Sequence, residues 1–347
     1  EIAEQVATNL DMMLDESARH KMRSVGVPSV EAFVAYQKGW KFFVEGHVAK
    51  DMLAELWRAN EYFEEATELY PGFGDAWYWQ ADYYHHLLMD DPNRSREELS
   101  QAAQRNLELL TAAAENAPTA QQKASSEFTR ALFSDDWTGI RTYLQRALDA
   151  QTCTGPNWSE VLAPFGLVDQ LIRRSDKFIE CEGGLRSALA YNRRIEALLF
   201  AGRRTEALEI ANEAIEQIGQ SDGTHAMRVW TLLAVGSVDE AVAESAMMSR
   251  GLKRAGHWPA IANLLAGNIE VANELAEDFL NDGEAKGSSK LTLLKFMGRQ
   301  QEVEAMAAEI DERPAGHVIL AGAHLDCMCG PMFDLGVTPN FKARLQE

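Results

Sequence analysis

The sequence predicts an all-α fold, a superhelical solenoid of about seven or eight packed helix pairs. Three observations predict it. Apolar residues step by three and four along the chain rather than by two, which places them on one face of a helix and not on the alternating face of a strand. From residue 185 onward one pattern recurs: an apolar helix, a glycine, then a short acidic opening to a second helix. The instances are LLFAGRRTEALEIANEA, LLAVGSVDEAVAESAMM, LLAGNIEVANELAEDF and LLKFMGRQQEVEAMAAEI, and their turn glycines, Gly202, Gly236, Gly267 and Gly298, stand at steps of 34, 31 and 31 residues.

Each element of the pattern has a physical reason. Glycine ends the first helix in a left-handed turn without a Cβ penalty. Asp or Glu in the first turn of the second helix meets the positive end of its dipole. Five residues after each glycine stands Ala207, Ala241, Ala272 or Val303, a side chain small or compact enough for two antiparallel helices to approach closely.

Nearer the N-terminus, ANEYFEEATELYP sets Ala59, Phe63, Ala66 and Pro71, and DAWYWQADYY sets Trp77, Ala81 and Tyr84. These residue types at these spacings resemble the tetratricopeptide repeat, the first four its second helix and the other three the first helix of the next repeat. Gly39 fits a first helix, with a lengthened turn before Ala59. Residues 95–115 read as another second helix. ASSEFTRALFSDDWTGIRTYLQRAL gives a further pair with Trp137, Leu144 and Ala147, and residues 158–183 give a less regular one. The segment TCTGPN around Pro156 is the candidate hinge. The expected organisation is a helical lead-in at 1–27, N-terminal repeats at 28–152, C-terminal repeats at 153–313, and a terminal helix and tail at 314–347.

The opening EIAEQVATNLDMML, the linking VPSVEAFVAYQKGWKFF and the closing CMCGPMFDLGVTPNFKARL resemble the C-terminal tetratricopeptide region of bacterial signalling proteins of the adenylate-cyclase-like or winged-helix, TolB-like kind. The resemblance implies a sensory or interaction module attached to an output domain. No residue here matches a cyclase or DNA-binding motif, so neither activity carries over. A chain that opens on Glu1 reads as a piece of a longer protein.

Composition narrows the function further. Of 347 residues, 46% are hydrophobic and 25% charged, and acidic residues outnumber basic ones 53 to 33 for a formal charge of −20. Such a chain repels phosphate backbones and anionic lipid, so neither nucleic acid nor direct membrane contact is expected. No apolar run approaches the roughly 20 residues of a membrane span, and the reading favours a cytoplasmic over a periplasmic place. Cys153, Cys181, Cys327 and Cys329 are too sparse for a disulfide framework.

Without G-x-S-x-G, H-E-x-x-H or G-x-x-x-x-G-K-[ST], the expectation is a non-catalytic module with no cofactor and no metal. Its partner would be a protein or peptide held in the concave groove that a tetratricopeptide array lines with its first helices. The resemblance projects Tyr36, Trp40 and Phe43 from the first repeat into that groove, and Asp75, Tyr78, Asp82 and His85 from the second. Asn192 and Glu196 take the equivalent places later. Aromatic rings bury area at low entropy cost and anchor hot spots. The competing reading is that the same rings pack the core or the repeat interfaces. Where some family members present a carboxylate clamp of Lys, Asn and Arg, this chain presents aromatic and acidic residues, which suits a basic or apolar peptide.

Two other functions compete. One is an enzyme on the same scaffold, with acid–base chemistry from Asp82 and His85. The other is self-association: the apolar stretch HVILAGAHLDCMCGPMF either folds back on the last repeat or forms a homodimer contact. In it, His324, Cys327 and Cys329 are read as terminal packing, since a structural zinc site wants four ligands. His85 and His86 lie next to Asp82, Asp90 and Asp91, but adjacent residues on a helix point about 100° apart and do not chelate one ion with ideal geometry, so both are read as solvent-edge or groove residues.

Overall fold

The computed structural model describes residues 29–47, 52–90, 94–149, 167–181, 185–249, 255–282, 285, 287–324 and 332–346. Among these residues there are seventeen helices and no strand. Contacts divide the chain into two compact units. One comprises Glu1–Leu88, Glu97–Ser134 and Thr142–Ala147; the other comprises Met89–Arg96, Asp135–Arg141 and Leu148–Glu347. The hinge expected around Pro156 lies outside the described residues.

The first unit is built on α1 (Val30–Gly46), α2 (Met52–Leu69), α3 (Gly74–Asp90), α4 (Arg96–Glu115) and α5 (Ala120–Phe133). Ser29 starts α1 by accepting the Ala32 backbone N–H at 3.1 Å, an N-cap bond that satisfies one of the helix's unpaired donors. α1 and α2 pack along their length over a core of Ala32, Phe33, Tyr36, Ala59, Phe63 and Ala66, joined by Phe73 and Ala76. Their closest approach is at Gly39, where an added Cβ would stand 2.8 Å from the Phe63 ring and 3.1 Å from the Ala59 carbonyl. Only glycine fits there.

α3 is fixed to α2 by a side chain that the repeat pattern does not single out. Gln80, 1% exposed, donates to the Phe63 carbonyl at 3.2 Å and to Thr67 Oγ1 at 2.8 Å. Trp77 Nε1 donates to the Pro71 carbonyl at 2.8 Å, which ties the start of α3 to the turn before it. Tyr84 reaches Arg105 of α4, and Ala81 packs with Leu109 and Leu110.

After α6 (Ile140–Asp149), the second unit runs through α7 (Val168–Cys181), α8 (Leu185–Phe200), α9 (Arg204–Ile218), α10 (Asp222–Val235) and α11 (Val238–Ser245). It continues with α12 (His257–Leu265), α13 (Ile269–Asn281), α14 (Gly287–Phe296), α15 (Gln300–Asp311), α16 (Gly316–His324) and α17 (Pro339–Arg344). From α8 on, neighbours in sequence are neighbours in space, and the contacts have a two-helix period. Each first helix touches the next first helix, α8 to α10, α10 to α12, α12 to α14 and α14 to α16. Among the described residues no comparable approach joins successive second helices. The first helices therefore form one continuous row. This is repeat packing in packed neighbouring pairs.

The four turn glycines make the same turn. At Gly236, φ is 86°; its N–H donates to the Leu233 carbonyl at 3.1 Å, and the Ser237 N–H reaches back to Leu232 at 2.9 Å. That pair of bonds is the Schellman motif, which satisfies the last carbonyls of a helix and needs a left-handed residue. Gly202, Gly267 and Gly298 repeat it bond for bond. Ala207, Ala241, Ala272 and Val303 are at most 2% exposed, as expected of residues at the pair crossing.

The C-terminal end is closed by a buried acid. Asp311, 5% exposed, accepts the backbone N–H groups of Asn340 at 2.9 Å and Phe341 at 2.7 Å, a negative charge at the positive end of α17. Phe341 is fully buried, as are Val318 and Leu320 of α16. The described part of the apolar C-terminal stretch thus folds onto α14 and α15; Cys327 and Cys329 lie outside the described residues.

Candidate functional site

Helical spacing puts Tyr36, Trp40, Phe43 and His47 on one face of α1, at steps of four, three and four residues. Tyr36 is a core residue: it is 9% exposed and packs on Phe73 at 4.7 Å and Phe63 at 5.6 Å between ring centroids. Its neighbours along the face are half-buried. Trp40 stacks on Phe43 at 4.9 Å and 14°. Trp79 of α3 meets both edge-on, at 5.0 Å from Trp40 and 4.9 Å from Phe43. Edge-to-face contact suits rings with negative faces and positive edges. The result is a band of Trp40, Phe43, Trp79 and Tyr78, the last edge-on to Trp79 at 5.1 Å.

The residues expected on α3 split between two faces. Asp75 accepts a hydrogen bond from Gln122 Nε2 at 2.8 Å, and burial pushes its carboxyl above the usual range, with the Gln122 bond opposing. Tyr78 Oη lies 3.3 Å from Thr129 Oγ1. His85 is 3% exposed and stacked on Phe133 at 4.4 Å and 10°. Burial lowers its ring to about 4, against the pull of Asp82, so His85 is neutral near pH 7. These three residues face α5. Asp82 alone of the four faces α1.

Its neighbours there are residues that the repeat register did not point to. Asp82 Oδ2 lies 3.4 Å from His47 Nε2 and 3.7 Å from His86 Nε2, and the two imidazole nitrogens are 3.2 Å apart. The ring centroids are 5.0 Å apart at 73°, farther than the nitrogens, so the Nε2 ends converge. The His47 ring also packs on Phe43 at 4.4 Å. Asp82 and His86 are one turn apart on α3, and His47 is the C-cap of α1. An i, i+4 Asp–His pair was legible in the sequence; the third member, thirty-nine residues away, was not.

Asn192 and Glu196 lie together on α8: Asn192 Nδ2 donates to Glu196 Oε1 at 3.3 Å, and Arg193 Nη1 to Glu196 Oε2 at 2.8 Å. That ion pair occupies the carboxylate with an internal partner. Three further buried histidines stand among the described residues of the second unit, His225, His257 and His317, the last edge-on to Trp137 at 5.4 Å. His225 Nδ1 is 2.6 Å from Glu244 Oε1, and Arg228 Nη1 is 2.8 Å from Oε2 of the same carboxylate. His257 lies against Trp258 at 4.4 Å and Phe279 at 5.7 Å, its Nδ1 buried with no hydrogen-bond partner. Burial lowers its ring to about 3.

No protein-family model matches the chain, and no curated protein matches it significantly. Among the described residues no helix is long and apolar enough to cross a membrane.

Proposed function

We propose that the chain is a non-catalytic helical-repeat module of the tetratricopeptide kind, which holds a protein or peptide partner on the first helices of its first unit. The observation that carries this reading is the half-buried aromatic band of Trp40, Phe43, Tyr78 and Trp79 on α1 and α3. Rings wedged against one another are already ordered, so a partner that covers them gains apolar burial at little side-chain entropy cost. In a superhelical array the row of touching first helices is the inner wall, where a partner segment meets several repeats at once. The formal charge of −20 supports a basic or apolar partner by complementarity and steering. A place as the sensory or interaction part of a larger bacterial signalling protein extends the same reading.

Its test is a peptide-array screen of the purified chain with the wild type and a Trp40→Ala/Tyr78→Ala double variant. A loss of about tenfold or more in affinity for the selected peptides is expected, as for hot-spot aromatics. Equal binding by both proteins would remove the band from the site. The acid–base reading of Asp82 with His85 draws little support from their placement, since the two face different helices.

A further inference from the structure

We infer that His47, Asp82 and His86 form a binding site for a zinc-class divalent transition-metal ion, held between α1 and α3. Four observations on the first unit carry it, and none depends on the peptide-binding reading.

The first is size. The three ligand atoms form a triangle with sides of 3.2, 3.4 and 3.7 Å. Three ligands of a tetrahedral ion with bonds of about 2.0–2.2 Å stand about 3.3–3.6 Å apart, so the triangle is close to the dimensions of one face of such a site. An octahedral ion with the same bond lengths wants sides near 3 Å, shorter than all three.

The second is the orientation of His47. Its Nδ1 lies 2.7 Å from the Phe43 carbonyl oxygen. A carbonyl only accepts, so Nδ1 carries a hydrogen, and Nε2 is the ring nitrogen that His47 turns toward Asp82 and His86. A ring N–H given to a backbone carbonyl is how metal-bound histidines are oriented.

The third is an unmet need. Asp82 Oδ2 is buried and accepts no hydrogen bond, although burial makes an unpaired carboxylate oxygen costly. A single proton shared between the two imidazoles bridges the nitrogens and leaves this oxygen unsatisfied. A divalent cation satisfies all three atoms together.

The fourth is chemistry and access. Two imidazoles and a carboxylate are the donor set of zinc and its first-row neighbours, not of calcium or magnesium. The side chains are 28%, 18% and 18% exposed, so solvent reaches the cluster and a water can serve as fourth ligand. The C-terminal end of α1, negative by its dipole, adds to the attraction.

The experiment uses the full chain without a histidine tag, stripped with chelator and titrated with Zn²⁺ by calorimetry and with Co²⁺ by visible absorption. One ion per chain is expected, with the intense visible bands of tetrahedral Co²⁺. Asp82→Asn and His86→Gln should each weaken binding by at least about a hundredfold, the upper end of what even an outer-shell partner contributes. Asp82→Asn nearly keeps the shape of the side chain, so it decides the matter if the histidine variant fails to fold. Wild-type protein that takes up no ion overturns the proposal. So does binding that both variants retain, or a thiolate-to-cobalt charge-transfer band, which would place the ion on cysteines instead.

Discussion

The buried His257 sets a local acid limit on the second unit. Its ring lies between Trp258 and Phe279, and burial lowers it from 6.5 to about 3. Between those values an opened α12–α13 pair takes up a proton that the closed pair does not, so stability rises with pH and is lost as pH falls below about 6.5. Going from pH 7 to pH 4 crosses about two and a half units of that window. At about 1.4 kcal/mol per unit, the opening free energy falls by up to about 3 kcal/mol, a few hundredfold in the opening constant. An opening that leaves the ring covered costs less, so this is an upper bound. Repeat arrays need not unfold in one step, and the assay must therefore be local: hydrogen exchange of peptides covering residues 257–281, corrected for intrinsic exchange, at pH 7, 5.5 and 4. Protection in the wild type should fall with pH and that in His257→Leu should not, which separates His257 from His225 and Glu244 in the same unit. The leucine also removes a buried ring nitrogen without a partner, so the variant should be at least as protected at pH 7. An equal acid slope in both proteins would show that another group is titrating.

Two predictions concern glycines, for opposite reasons. At Gly39 the conflict is steric: with the Phe63 ring 2.8 Å from an added Cβ, Gly39→Ala should destabilise the α1–α2 pair by about 1–3 kcal/mol. Adding Phe63→Leu should cost less in that background than in the wild type, a coupling that urea denaturation of the four proteins measures; strict additivity would refute the clash. At Gly236 nothing lies within 4 Å of an added Cβ, so Gly236→Ala should cost only the left-handed backbone term, about 1–2 kcal/mol. Exchange protection of α10 and α11 should report it, and an unchanged value would mean that the turn tolerates a side chain.

The repeat was legible because it is written in local rules. A Schellman turn needs a residue at positive φ, so glycine recurs at the turn whatever lies on either side of it. The pair crossing needs a compact side chain, so Ala207, Ala241 and Ala272 recur a fixed distance later. Gln80 was invisible for the opposite reason. Its value lies in meeting the Phe63 carbonyl and Thr67 across a helix pair, and no spacing on its own helix announces that. The fold-back at the C-terminus was half legible: the apolar run marked α16 as buried, while the cap that closes it, from Asp311 at the end of α15 to the first turn of α17, spans about thirty residues and breaks no pattern.

The candidate site divides along the same line. Register placed Trp40 and Phe43 on a shared face of α1, because a period of 3.6 residues fixes what stands beside what on a single helix. It placed His85 in the groove by the same rule applied to α3, and there the outcome turned on one step. Adjacent residues on a helix diverge by about 100°, so a small rotation of α3 decides which histidine meets α1 and which meets α5. The rotation is set by contacts that register does not contain: Gln80 anchored to α2, Tyr78 and Asp75 bonded to α5. With those contacts made, His85 goes under Phe133 and becomes a neutral core residue, while His86 falls one turn above Asp82. Only then does His47, at the end of α1, find both of them. The Trp40–Phe43 stack is thus a property of a single helix, while Trp79's place against it and the His47–Asp82–His86 cluster are properties of how two helices are rotated against each other. Replacing Gln80 with leucine, which keeps the bulk and removes the α2 bonds, should therefore weaken Co²⁺ binding at the cluster without touching a ligand. If binding were unchanged, the rotation of α3 would have to be fixed by its contacts to α5 alone.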